Sequence, residues 1–313
     1  MQSLCISVID SAIQIETENI EELRASLTSV FAKRYLPRLK ILDECRPDVM
    51  IYWINRDVKF RVLTHNLISH GLPSLFIVEG RYPVAYSNES PFFFILQIIA
   101  YVLGKKGYVV LTDSVTIERD GKALIFLGYP HSGKSSISAV AFYRGFKVYA
   151  TENTVLRVAK PLKVVNGTSV LVYDPAIKNL YNVKIAPDGT TRHGYEYIDL
   201  ETRDAVPPRE LEVDKMFLIH SGFTCKGFSA SPVTGRKIRK TLWYFSTSLL
   251  KGVDYYEPQP LDNLVTEEVA KTLQSFLEIV EENYRDRVFE VFGSIPEIFE
   301  NTVLGSRPAD ICN

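Results

Sequence analysis

The stretch Ala123-Leu124-Ile125-Phe126-Leu127-Gly128-Tyr129-Pro130-His131-Ser132-Gly133-Lys134-Ser135-Ser136 decides the fold. Ala123 to Leu127 are five apolar residues in a row, which is how a strand buried on both faces reads. At its end, Gly128 to Ser135 fits the phosphate-binding loop pattern G-x-x-x-x-G-K-[ST]. Ile137, Ala139, Val140, Ala141 and Phe142 then predict a helix with Gly145 as its C-cap, followed by a strand from Phe146 to Ala150. The pattern therefore sits inside a β-loop-α-β unit of an α/β protein, the context that such a loop requires.

Each residue type in the loop has a mechanical reason. Gly128 and Gly133 allow backbone angles that a side chain forbids, so that the N–H groups of Tyr129, Pro130's neighbours, His131, Ser132 and Gly133 can converge on phosphate oxygens before a helix N-terminus. Lys134 can reach the β- and γ-phosphates, the Ser135 hydroxyl can complete the coordination of Mg²⁺, and Ser136 follows at the mouth of the helix. The expected cofactors are ATP and Mg²⁺, with ADP or pyrophosphate left open as donors. A glycine-rich turn with a solvated lysine is the plainer alternative, but four fixed identities between a strand and a helix argue against it. His131 reads as a packing or solvent-facing residue rather than a catalyst.

The neighbourhood of the loop narrows the reading. The segment from Val110-Leu111-Thr112-Asp113-Ser114 through Arg119-Asp120-Gly121-Lys122 and the loop to Arg144-Gly145-Phe146 and Ala150-Thr151-Glu152 resembles the catalytic core of the HPr kinase/phosphorylase family. That family shares its kinase fold with phosphoenolpyruvate carboxykinase. Gly121 fits the turn of its β-hairpin, Lys134 and Ser135 fit its loop, and Arg144-Gly145 fits its helix end. Three positions depart: Asp113 stands where the family has a histidine, Phe146 replaces a second histidine, and Thr151-Glu152 replaces a pair of aspartates. The likeness covers residues 110–158, and the family's downstream metal-binding signature has no counterpart here.

The resemblance implies a kinase domain of the HPr kinase and phosphoenolpyruvate carboxykinase type. It further implies a catalytic set of Lys134, Glu152 and Asp113. Glu152 would accept the proton of an attacking hydroxyl and bind Mg²⁺ with Ser135, and Asp113, across the hairpin, would share a proton with Glu152. A one-residue shift would put Asn153 in the base position instead. The plainer reading makes Thr151-Glu152-Asn153 a polar turn and Asp113 a surface residue of the hairpin. The expected activity is transfer of the γ-phosphoryl group to an alcohol, the serine-type hydroxyl of a small metabolite such as a free hydroxyamino acid. A protein serine as acceptor, as in HPr, and a non-catalytic nucleotide-sensing module are the alternatives.

Composition agrees with an enzyme of the cytoplasm. The chain has 313 residues, and its 36 basic against 37 acidic side chains nearly cancel, with no dense basic block to bind nucleic acid. Cys5, Cys45, Cys225 and Cys312 are widely spaced, without C-x-x-C, and read as reduced thiols rather than as a zinc site or a disulfide framework. Met1 to Ile15 lacks the pattern of a secretory leader, so the Asn166-Gly167-Thr168 sequon reads as silent. Phe92 to Leu103 is strongly apolar but too short to cross a bilayer, which predicts a buried helix capped by Ser90 with Pro91 in its first turn, and no membrane partner.

Two domains follow: residues 1–89 as a smaller α/β domain with a substrate-selecting or oligomer-forming role, and residues 90–313 as the kinase domain with C-terminal helices. In the first, Leu4 to Ile15 predicts a strand pair, and Asn19 caps a helix running to Tyr35 that Pro37 stops. Val49 to Ile54 and Ser74 to Val78 predict buried strands, and His65 and His70 flank a helix. In the second, Val164 to Tyr173 and Tyr181 to Ile185 predict strands, Arg209 to Ile219 a polar lead-in and an apolar strand, and Thr266 to Tyr284 an amphipathic helix. Arg192, His193, Arg203 and Arg209 are candidates for charge stabilisation from loops over the site.

Overall fold

The computed structural model describes residues 1–67, 71–222, 227–252 and 264–305. It is a mixed α/β chain that divides into two compact units, Met1–Val110 with Ser246–Gln274, and Leu111–Phe245 with Ser275–Asn313.

The first unit carries a six-stranded sheet in the order Lys40–Leu42, Gln2–Val8, Ser11–Thr17, Val49–Ile54, Ser74–Glu79, Arg61–Asn66. Gln2–Val8 and Ser11–Thr17 are the expected antiparallel pair, while Ser11–Thr17, Val49–Ile54 and Ser74–Glu79 run parallel. Asn19 caps the first helix by accepting the Glu22 N–H at 3.3 Å. That helix ends at Leu27 rather than running to Tyr35. The Thr28 hydroxyl bonds back to the Arg24 carbonyl and the Ser29 hydroxyl to that of Ser26, so side chains compete with the helical ladder, and only Ala32–Tyr35 regains it. His65 lies in the strand Arg61–Asn66, not at a helix end, and His70 falls outside the described residues.

Two sequence expectations in this unit need correction. Cys5 and Cys45 are joined in a disulfide across a sequence separation of 40, instead of remaining thiols, because the strand pairing Cys5 with Leu42 returns the chain to Cys5. Cys225 and Cys312 lie outside the described residues. The helix Ser90–Lys105 does hold Pro91 in its first turn, but Glu89, not Ser90, occupies the cap position. The Glu89 carboxylate is engaged by the Tyr86 N–H and the Tyr35 hydroxyl. This helix belongs to the first unit: Phe92 stacks on Tyr35, Phe94 packs on Phe60 and Phe76, and Tyr101 shares a hydrogen bond with Ser74. The contact boundary thus falls at Val110, past the helix that the sequence boundary at residue 89 excludes. No described helix is long and apolar enough to cross a membrane.

The second unit is built on a sheet with the order Val148–Ala150, Ser114–Arg119, Lys122–Leu127, Leu211–Ser221, Lys163–Gly167, Thr154–Arg157. Val288–Gly293 also pairs with Leu211–Ser221, in parallel. Asp120 and Gly121, both at positive φ (52° and 75°), make the two-residue turn of the hairpin between Ser114–Arg119 and Lys122–Leu127. Helices Lys134–Tyr143 and Ile295–Thr302 cover one face of the sheet through Ile137, Val140, Ile298 and Phe299, which share a buried core with Phe126 and Phe217. A three-stranded sheet of Val170–Tyr173, Glu196–Asp199 and Gly189–Thr190 joins that core through Leu171, Tyr173 and Ile198. Tyr181 to Ile185 is irregular rather than a strand. Val183 and Ile185 are buried in the core, so the apolar alternation is spent on anchoring a segment that has no ladder partner.

Removing the disulfide by Cys45→Ala is expected to destabilise the first unit by about 2–4 kcal/mol, chiefly by freeing the unfolded chain. Urea unfolding with and without reductant reads this, and identical midpoints would show the link is not formed.

Candidate functional site

The strand Lys122–Leu127 delivers Gly128 to the edge of the sheet, and the helix Lys134–Tyr143 starts six residues later. Both glycines are required by space. A Cβ on Gly128 would lie 2.1 Å from the Ser132 hydroxyl oxygen, and one on Gly133 would lie 2.4 Å from that of Ser221 and 2.6 Å from Ile295 Cδ1. Gly133 also sits at φ 98°, in the left-handed region, at the helix N-cap, where no side chain satisfies the first N–H groups. The positive end of this helix therefore faces the loop without a capping group. His131 adopts φ 64° and is exposed.

Lys134 is turned into the loop instead of outward. Its ammonium donates to the carbonyls of Gly128 at 2.6 Å and Tyr129 at 3.0 Å, and makes an ion pair with Asp113 Oδ1 at 3.0 Å. Lys134 is 7% exposed and Asp113 6%. The three acceptors match the three protons of the ammonium, as a buried cation demands. Asp113 is thus a buried residue of the site and not a surface hairpin residue. The Lys134 ammonium thus lies beside the carboxylate that the sequence reading sets across the hairpin from Glu152.

Backbone bonds bring Glu152 to the same sheet edge. Its carbonyl accepts the Ser114 N–H at 2.9 Å, and the Asp113 carbonyl accepts the Gly128 N–H at 3.2 Å, so the Asp113–Ser114 turn lies between the loop and the end of Val148–Ala150. Thr168, 0% exposed, fixes the Thr151-Glu152-Asn153 turn: its hydroxyl accepts the N–H of Glu152 at 2.9 Å and of Asn153 at 3.1 Å. Asn153 is buried and Glu152 half-buried, which leaves Glu152 the accessible one of the two. Sequence reasoning saw Thr168 only as part of a sequon. Its burial with Asn166 removes that role in the folded chain.

A second group beside the loop was not foreseen. In the parallel register Leu218 lies opposite Leu127, so His220 and Ser221 extend past the loop strand, and the Ser221 N–H donates to the Ser132 carbonyl at 3.2 Å. His220 Nε2 lies 3.0 Å from Glu290, which is also bound by Lys237, and the ring stacks on Phe292. The hydrogen bond from Lys237 holds the Glu290 carboxyl below the usual glutamate range, burial opposes this, and His220 adds to it. Glu290 is then an ionised acceptor, so His220 Nε2 carries the proton. The signal available in sequence was the odd polar residue at the end of the apolar run Met216 to Ile219. Tyr129, in the loop, rests its ring on Tyr244 and Phe245 of the helix Arg236–Thr247.

The structure gives local partners to the loop residues expected to stabilise charge. Arg203 pairs with Asp188, and Arg192 bonds to its neighbour His193. Arg209 approaches Gly121, at the opposite end of the loop strand, a strand length of about 17 Å away.

No protein-family model matches this chain, and no curated protein matches it. Among solved structures it is similar to the HPr(Ser) kinase/phosphatase from Coxiella burnetii, with 14% sequence identity and a TM-score of 0.25, over 40% of this chain and 72% of that one.

Gly133→Ala is expected to cost about 2–4 kcal/mol, from left-handed strain and the clash with Ser221, seen as a lower denaturation midpoint. Because its folded pKa is depressed, Glu290 contributes stability that is present above the ordinary glutamate value of 4.5 and lost as the pH falls through the lower folded value. The stability gap between wild type and Glu290→Gln should therefore hold above that pH and close below it, and a gap independent of pH would contradict the assignment.

Proposed function

We propose that this chain is an ATP-dependent kinase of HPr-kinase-like fold that transfers the γ-phosphoryl group to the hydroxyl of a small metabolite, such as a free hydroxyamino acid. The observation that carries the reading is the buried Lys134 ammonium, held at the neck of a two-glycine loop before an uncapped helix N-terminus, with Asp113 and the Glu152 backbone at the same edge. A buried cation and two closely packed glycines on one turn support the reading of an anion seat.

In the proposed reaction the loop amides and Lys134 hold the phosphates, as donors aimed at the charge of the transferring group. Glu152 takes the proton of the acceptor hydroxyl, and the Thr168 hydroxyl keeps the Glu152 backbone in place for it. Asp113 acts through Lys134, whose ammonium it balances. The donor set suits Mg²⁺: Ser135 and Glu152 offer only oxygen, and no group of three or more His, Cys, Asp or Glu gathers as a metal cage among the described residues. That pattern fits a cation that keeps several waters and takes its other ligands from phosphates. When bound, it would neutralise charge on the transferring group. Asp113 in place of the family's histidine, and the missing downstream signature, favour a small acceptor over a protein serine.

Purified protein given ATP, Mg²⁺ and a panel of free hydroxyamino acids and related alcohols should release ADP with one of them. ADP release only with an HPr-type protein would name the protein acceptor, and binding without release under any condition would leave a nucleotide sensor. Glu152→Gln should lower kcat by about 10²–10⁴ while ATP affinity stays within about twofold. A Glu152→Gln enzyme at full rate would remove the base assignment.

A further inference from the structure

Lys134 and Asp113 are each more than nine-tenths buried and 3.0 Å apart, and the other two ammonium protons go to neutral carbonyls. The one cation inside the loop is therefore cancelled by a carboxylate fixed beside it. The backbone around Asp113 is tethered at three successive residues. The Thr112 N–H donates to the Phe245 carbonyl, the Asp113 carbonyl accepts from Gly128, and the Ser114 N–H donates to Glu152. Asp113 itself turns at φ 53°. These bonds fix the backbone that carries the carboxylate beside the loop.

A free triphosphate entering this seat meets a fixed negative charge and a lysine that is already paired. A triphosphate that brings a divalent cation carries two positive charges more, which offset the fixed negative charge of Asp113. We propose that Asp113 makes this loop selective for the metal-complexed nucleotide over the free one, by cancelling Lys134 until a divalent cation arrives with the phosphates. This rests on the nucleotide-binding reading above and adds to it the charge state of the ligand.

Isothermal titration calorimetry on the full chain tests this, with ATP in excess Mg²⁺ and with ATP in EDTA. Asp113→Asn suits the left-handed turn and keeps an acceptor for Lys134, and Asp113→Gly suits the same backbone with no side chain, so one covers a folding failure of the other. The wild type should bind ATP with Mg²⁺ at least about tenfold more tightly than ATP without it. Either variant should bind free ATP more tightly, by on the order of tenfold, and the preference for the complex should collapse accordingly. A preference within about twofold of wild type in the folded variants would overturn the proposal while the loop assignment stands. Equal loss of both forms in the variants would also overturn it, because Asp113 would then shape the loop instead of sorting its ligands. A wild type that binds neither form would remove the nucleotide-binding reading and this inference with it.

Discussion

A buried ammonium is the constraint around which the second unit is arranged. Taking Lys134 out of water is costly unless every proton finds an acceptor and the charge a partner. Two of those acceptors are carbonyls from the residues just before the helix that carries Lys134, so the chain has to curl back over its own side chain. That curl brings Ser132 against the place of a Cβ on Gly128, while Ser221 and Ile295 crowd the place of one on Gly133. The second glycine in turn sets how closely Ser221 and Ile295 approach, and with them the strand Leu211–Ser221 and the helix Ile295–Thr302. Packing, loop shape and charge balance are one requirement seen at three scales.

Sheet topology then decides which other residues share that edge. Lys122–Leu127 and Leu211–Ser221 run parallel, so both end where the loop begins, and ligands in such sheets collect at the carboxyl ends of strands. Ser114–Arg119 runs the other way and so starts at that edge, which puts Asp113 there, while Val148–Ala150, antiparallel to it, ends there and brings Glu152. Leu211–Ser221 is the longest strand among the described residues, and its excess length places the His220–Glu290–Lys237 group beside the loop rather than below it.

What the sequence made legible was local. The loop, its flanking strand and helix, the Gly121 hairpin, the Asn19 cap and the first strand pair each depend on residues within a few positions of one another, and each forms. What stayed hidden depends on partners far along the chain. Cys5 meets Cys45 only because an intervening segment returns to the sheet, and Thr168 reaches Glu152 only across two strands. The helix break after Leu27 was local but carried by hydroxyls, whose competition with the backbone the apolar periodicity does not register. Tyr181 to Ile185 alternates as a strand would, yet alternation reports burial of every second residue and says nothing about a ladder partner.

The two acids near the loop show why placement outweighs identity. From the sequence, Asp113 and Glu152 are equivalent carboxylates across a hairpin and invite pairing with each other. In the fold, Asp113 is sealed against an ammonium and tethered through its own backbone, whereas Glu152 is half-buried on a turn whose amides Thr168 holds. A sealed carboxylate with a fixed cation has its charge committed and can only tune what the cation does. A half-buried one on a supported turn keeps access to whatever enters. If both were equally exposed they would compete for the same proton and cation. Burial alone separates them: Asp113 is closed in beside the Lys134 ammonium, and Glu152 stays partly open to solvent on its turn.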